Sequence, residues 1–205
     1  SNATIYHGLT KIPRLSITKN IDQTFHWTVY AFTSNTTILR LNGTDTPATE
    51  SAFQSTDPTA TVQSLGDHNE NNGATDGSAD THVSHMNCDV QGFQKIGVYV
   101  GNNNVSGPFI YTGFRPAMVV VHRFDSGDSW VIGNNKALGY NPDTNFSLWD
   151  TTTAESTTDW INFYSNGFQL IRTDASVNAS GGDYLYYAVA EAPFVNSNGV
   201  PCNAR

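Results

Sequence analysis

Apolar and polar residues alternate along this chain in short runs. Leu15-Ser16-Ile17-Thr18 sets its apolar residues two apart, the period of a strand with one buried face. Phe25 to Tyr30 alternates more strongly, and Thr37 to Leu41 runs into Asn42-Gly43, a hairpin-turn pair. Further runs lie at Val62–Leu65, Thr81–Met86, Lys95–Val100, Met118–Arg123 and Trp130–Ile132. Asn145–Trp149, Phe168–Arg172 and Tyr184–Glu191 complete the set. Many short strands at near-regular spacing predict an all-β fold, an antiparallel β-sandwich of jelly-roll type. One stretch, Ala154–Phe163, has helical character and predicts a single short turn of helix. Residues 66–80 hold almost no apolar side chain, which predicts a long solvated loop outside the core. That loop is rich in Asp, Asn and Gly, but it lacks the D-x-[DN]-x-[DN]-G spacing and closing Glu of a calcium loop.

The pattern repeats itself at an offset of about a hundred residues. A Gly-Leu-x-x-x-Pro turn (Gly8, Leu9, Pro13) leads into the strand from Leu15, and Gly113-Phe114-Arg115-Pro116 leads into the one from Met118. Each half then shows a strand carrying Trp27 or Trp130 and an apolar strand ending near Leu41 or Leu148. A Thr-rich loop follows at 46–51 or 151–156, then a strand near Val62 or Phe168, and a last strand after Asp80 or Asp183. Phe93 and Phe194 close the two halves. The shared order predicts two duplicated β units, residues 1–96 and 97–205, related by a pseudo-twofold axis. Ser1-Asn2-Ala3 reads as a scar of tag cleavage, so a longer parent protein is expected.

Composition narrows the classes of function. Of 205 residues, 21 are Asn, 24 Thr, 17 Ser and 17 Gly. Only 14% are charged, and helix-building Lys, Glu and Leu are scarce. This argues against helical bundles and α/β nucleotide-binding enzymes, while 12% aromatic residues argue against disorder. With ten Lys and Arg and a net charge of −8, the chain is not expected to bind nucleic acid. It has no apolar run long enough for a membrane helix, so no membrane insertion is expected. Cys88 and Cys202 allow at most one bridge, too little for a disulfide scaffold or a four-ligand zinc site. No cofactor is implied.

Several runs are shared with a known group of proteins. Tyr99-Val100-Gly101-Asn102, then Gly107 to Ala117, the Tyr140-Asn141-Pro142 turn, Ala154-Glu155-Ser156 and Asn162 to Leu170 are among them. So are Asn178 to Tyr184, Ala190 to Phe194 and the terminal Asn203-Ala204-Arg205. On these residues the chain resembles a module of marine bacteriophage structural proteins of the tail-fibre or tail-associated kind. The resemblance is strong over 93–205 and weaker over 5–92, where the last strand carries His82, Ser84, His85 and Asn87 instead of apolar and aromatic residues. It implies a virion protein, outside the cell on the phage tail. In a phage the Asn-x-Ser/Thr sequons at Asn35, Asn42, Asn104, Asn145 and Asn178 are expected to stay unglycosylated.

The chemistry-bearing residues point to binding more than to a reaction. There is no Gly-x-Ser-x-Gly elbow, phosphate loop or His-Glu-x-x-His motif. Glu50 and Glu155 occupy matching places in the two halves and read as loop residues that bond backbone amides. His82 and His85, with Cys88 or Asp89 nearby, are weak metal candidates, because on a strand residues three apart face opposite sides. Trp27, Trp130, Tyr184, Tyr186 and Tyr187 fall on strands and are expected in the core or half-buried, and Phe109, Tyr111 and Phe114 at the junction of the halves. Tyr140, Phe146, Trp149 and Trp160 lie in or beside turn-rich segments. Aromatic faces stack on sugar rings, and Asn, Asp and Thr give directional hydrogen bonds without net charge. The ligand-binding candidates are therefore Tyr140, Asn141, Asp143, Trp149 and Trp160, and no catalytic residue is assigned. The expected function is a non-enzymatic virion module that binds a host cell-surface glycan or protein, with other virion proteins as partners and a homotrimer as the assembly. One alternative is a purely architectural virion protein. Another is a polysaccharide-trimming hydrolase, which would need two carboxylates at a set separation.

Overall fold

The computed structural model describes residues 2–75 and 78–193, and the chain forms two compact units, Ser1–Cys88 and Asp89–Arg205. Phe194, Cys202 and the terminal Asn203-Ala204-Arg205 lie outside the described residues, and with them the Cys88–Cys202 pairing.

The first unit contains strands β1 (Ala3–Tyr6), β2 (Leu15–Asn20), β3 (Trp27–Ala31), β4 (Ser34–Arg40), β5 (Ala48–Thr49) and β6 (Val62–Leu65). It continues with β7 (Ala74–Thr75), β8 (Ser78–Ala79) and β9 (His82–Asn87). A five-stranded antiparallel sheet runs β5-β4-β3-β2-β9, beside two-stranded ladders β1-β6 and β7-β8. Tyr30, Ile38, Ala52, Phe53 and Leu65 form a core cluster, with the Tyr30 and Phe53 rings edge to face at 5.1 Å.

The second unit contains β10 (Gln94–Val100), β11 (Phe109–Tyr111), β12 (Pro116–Arg123), β13 (Val131–Asn134) and β14 (Asp143–Leu148). Then come β15 (Ser156–Tyr164), β16 (Gly167–Leu170), a four-residue helix α1 (Ala175–Asn178) and β17 (Asp183–Ala190). All eight strands join one antiparallel sheet, β10-β17-β12-β13-β14-β15-β16-β11, which curls until it is nearly closed. Its inner face packs Trp160, Phe163, Phe168, Leu170, Val119 and Val121 with the stacked pair Tyr99–Tyr184. The two ends of the curl meet at Lys95, whose Nζ donates to the Tyr111 carbonyl at 2.9 Å. The chain is thus all-β, as the alternation predicts.

The pairing plan of the first unit recurs in the second. β2 sits between β3 and β9, and β12 sits between β13 and β17. Next along, β4 pairs with β3 and β5 as β14 pairs with β13 and β15. The β1-β6 ladder has its counterpart in β11-β16. The turn glycines of the two halves also match: Gly8 and Gly113 both hold positive φ, at 67° and 85°. The second unit adds β10 outside β17 and a β15-β16 ladder that joins the two parts of its sheet.

Three expectations need correction. The segment at 154–163 is not helical: residues Ser156–Tyr164 form a nine-residue strand paired on both sides. Its β-branched and aromatic residues find ladder partners, and tertiary pairing outweighs a weak local helical signal. The described helix is instead Ala175–Asn178, capped by Asp174, whose carboxylate accepts from the Ser176 amide. The described part of the polar stretch after Gly66 is not wholly solvated. Glu70 and Asn71 are buried: Glu70 accepts from Thr28 Oγ1 at 2.9 Å and pairs with Arg40 at 3.1 Å, and Asn71 Nδ2 donates to the Ala52 carbonyl at 2.6 Å. Polar groups enter an interior when partners replace their water. Trp27 is the third, lying 39% exposed and so outside the core where its strand position places it.

Candidate functional site

The strands of the second unit position most of the sequence-predicted residues. Pro142 has no amide to donate, so β14 cannot extend its ladder through it. The Asn141 side chain substitutes: its Nδ2 donates to the Phe163 carbonyl and its Oδ1 accepts from the Phe163 amide, both at 2.9 Å. Asn141 thereby fastens the turn to β15 and spends its hydrogen-bonding groups internally. Tyr140, one residue earlier, is left 68% exposed. Asp143 is 1% exposed. Its Oδ1 accepts from the Asn145 amide at 3.0 Å, and its Oδ2 has no hydrogen-bond partner among the described residues. Burial raises its pKa, the charge of Glu155 acts in the same direction, and the Asn145 amide opposes both. Trp149, just past β14, is partly exposed and holds its backbone to Trp130.

Trp160 is placed differently from the expectation. It lies within β15, not beside a turn, and is fully buried, so it offers no face to a ligand. It packs against Phe146, with ring centres 5.8 Å apart. Of the five candidates, then, Tyr140 and Trp149 reach solvent as aromatic faces, Asn141 and Asp143 serve the turn, and Trp160 belongs to the core.

The histidines and glutamates take local roles. His82 lies within hydrogen-bond reach of the Asp80 and Asn69 carbonyls, while His85 faces outward from β9. Among the described residues no three His, Cys, Asp or Glu side chains converge as metal ligands would. Glu50 pairs with His68 at 3.7 Å, and Glu155 accepts from Asn145 Nδ2 at 2.8 Å.

A second set of residues shares the Tyr140 end of β15. Phe109 and Tyr111, expected at a junction, point outward from β11 and are exposed, while Ile110 between them is buried. Only Phe114 of that trio is buried, in the second unit's own core. Across the ladder Phe109 faces Gln169, Tyr111 faces Gly167, and Gly167 faces Tyr164. The Phe109 and Tyr164 rings meet edge to face, with centres 5.8 Å apart. Gly167 makes this possible, because a Cβ there would stand 3.0 Å from the Phe109 ring tip and 2.1 Å from the Ile110 carbonyl oxygen. The Tyr164 hydroxyl donates to Gln169 Oε1 at 3.1 Å and accepts from Asn162 Nδ2 at 3.4 Å. Gln169 Nε2 in turn donates to the Gly107 carbonyl at 3.1 Å. The result is a row of exposed rings with amides fixed between them. A partial signal for it was in the sequence: on a strand Phe109 and Tyr111, two apart, share one face, as do Asn162 and Tyr164.

One family model, a domain of unknown function (DUF7483), matches residues 1–193. No curated protein and no solved structure matches the chain.

Proposed function

The chain belongs to the DUF7483 family, and from its surface chemistry we propose that it is a non-enzymatic recognition module that binds a host-surface glycan. The observation that carries this reading is the grouping of Tyr140, Tyr164, Phe109 and Tyr111, all exposed, around one end of β15 with amide side chains between them. Burying such rings would have helped the fold; leaving them in water makes sense where a ligand covers them. A pyranose does so well, because its C–H face stacks on an aromatic ring while its hydroxyls meet neutral amides. Strands hold the Phe109, Tyr111 and Tyr164 rings in place before binding, which lowers the ordering cost of association.

The resemblance to phage tail proteins supplies the setting. The module would sit in a tail fibre or tail-associated protein of an extracellular particle, next to other virion proteins and as a homotrimer. Weak individual sites would then add through avidity. A glycan array probed with the purified chain tests the reading. Binding is expected, with Tyr140→Ala and Trp149→Ala each weakening it. Failure to bind any glycan or host cell removes the proposal.

A purely architectural role is the second reading. It is favoured by Val98 and Val100, which stand exposed on β10 at the end of the sheet and suit a protein partner. Its signature would be a stable complex with another virion protein that Val98→Ser and Val100→Ser abolish.

A further inference from the structure

The outer side of β15, β16 and β11 carries side chains that the fold itself leaves uncovered. Along these strands Ile110, Phe163, Phe168 and Leu170 turn into the core. Phe109, Tyr111, Tyr164, Asn162 and Gln169 turn out, the three rings exposed and the two amides half-buried. Hydrogen-bond accounting then defines what this face can still offer. Gln169 uses one N–H on Gly107 and its oxygen on Tyr164, which leaves one N–H. Asn162 uses one N–H on the Tyr164 hydroxyl, which leaves the second N–H and the carbonyl oxygen. Two donors and one acceptor thus lie beside three rings whose positions are set by strand pairing.

The charge on this face is as informative. The five side chains are one phenyl, two phenol and two primary amide groups, with no carboxylate or amine among them. Lys95 borders the face, and its ammonium donates to the Tyr111 carbonyl at 2.9 Å and lies 5.4 Å from the Tyr111 ring centre. That charge is held at the rim by the module's own strands. The whole chain carries −8, which repels acidic polymers.

We propose that this face is a subsite for a neutral pyranoside. The C–H face of the sugar lies on the Tyr164 ring, the Phe109 ring stands at 62° to it as a side wall, and the sugar hydroxyls pair with the remaining amide groups of Asn162 and Gln169. The assignment rests on the glycan-recognition reading above and adds to it the place and the charge class of the ligand. Tyr164 then acts twice, since its ring stacks on the sugar and its hydroxyl orients both amides.

The test is calorimetric titration of the purified chain with neutral oligosaccharides (glucan, galactan and mannan) and with carboxylated ones (alginate and polygalacturonate). A neutral series is expected to bind. Tyr164→Ala and Phe109→Ala are expected to weaken it by about ten-fold or more, the loss typical of a buried aromatic contact. Tyr164→Phe keeps the ring and frees the amides, so a loss of roughly three-fold is expected. All three variants change exposed side chains, so thermal melts should stay within a few degrees of the parent. Tight binding of carboxylated oligosaccharides in preference to neutral ones overturns the charge class. Neutral binding that both alanine variants leave intact, while Tyr140→Ala or Trp149→Ala abolishes it, overturns the subsite and leaves glycan recognition standing. No binding by the parent chain to any of them overturns both.

Discussion

His122 links a single side chain to the acid stability of the molecule. It is buried on β12, stacked on Trp130 with ring centres 4.0 Å apart and planes 5° from parallel. Burial lowers its pKa to about 4, against the opposing pull of the Ser129 backbone. Above pH 6.5 the ring is neutral in both the folded and unfolded chain, and it contributes nothing to pH dependence. As pH falls from 6.5 towards 4 the unfolded chain takes up a proton that the folded chain refuses. Stability from this residue is therefore lost across that window, by roughly 3 kcal/mol at about 1.4 kcal/mol per pH unit. Urea denaturation at about pH 7 and about pH 4.5 should show the drop, and His122→Leu should flatten it. An unchanged pH slope in that variant would remove His122 from the account. Residues of this kind also mark where sequence reading ends. Glu70 reads as a loop carboxylate because its partners, Thr28 and Arg40, are 42 and 30 positions away.

At the scale of elements, close strand-to-side-chain approach sets tolerances that can be measured. Gly133 on β13 faces Trp160, and a Cβ at that position would stand 2.4 Å from Trp160 Cζ2. Gly133→Ala should therefore destabilise the second unit by about 1–3 kcal/mol, because the indole is packed on all sides and must shift. Thermal unfolding read by tryptophan fluorescence checks it, and a parental midpoint would refute the close packing. Most strands were legible because one face of each is buried and the period-two pattern records that face. β15 was less so, since it begins after Ala154-Glu155 and loses alternation where Trp160 and Ile161 are both buried next to the β14 irregularity. The exposed row on β11 was misassigned for a related reason. Alternation says that Phe109 and Tyr111 share a face, but only pairing with β16 decides that this face is the outer one. The strand-pairing order that the two units share was foreshadowed by turn residues that keep their order along each half.

At the scale of the molecule, charge separates the proposed recognition from the electrostatic kind. A chain of net charge −8 that holds a neutral sugar by stacking and amide hydrogen bonds forms no ion pair with it. Raising salt from about 50 to about 500 mM shortens the Debye length from roughly 14 to 4 Å, yet should change the dissociation constant less than about two-fold. A steep salt dependence in the same titration would show that ionic contacts dominate. The curl of the second unit has a further result. An open sheet offers two unsatisfied backbone borders on which foreign strands can grow, the usual start of fibrillar association. Here β10 and β11 are those borders, and Lys95 spans them as a bolt across a seam, occupying a carbonyl that an incoming strand would need. With that carbonyl occupied, the second unit resists extending its sheet by pairing a neighbouring copy's strand along the β11 border.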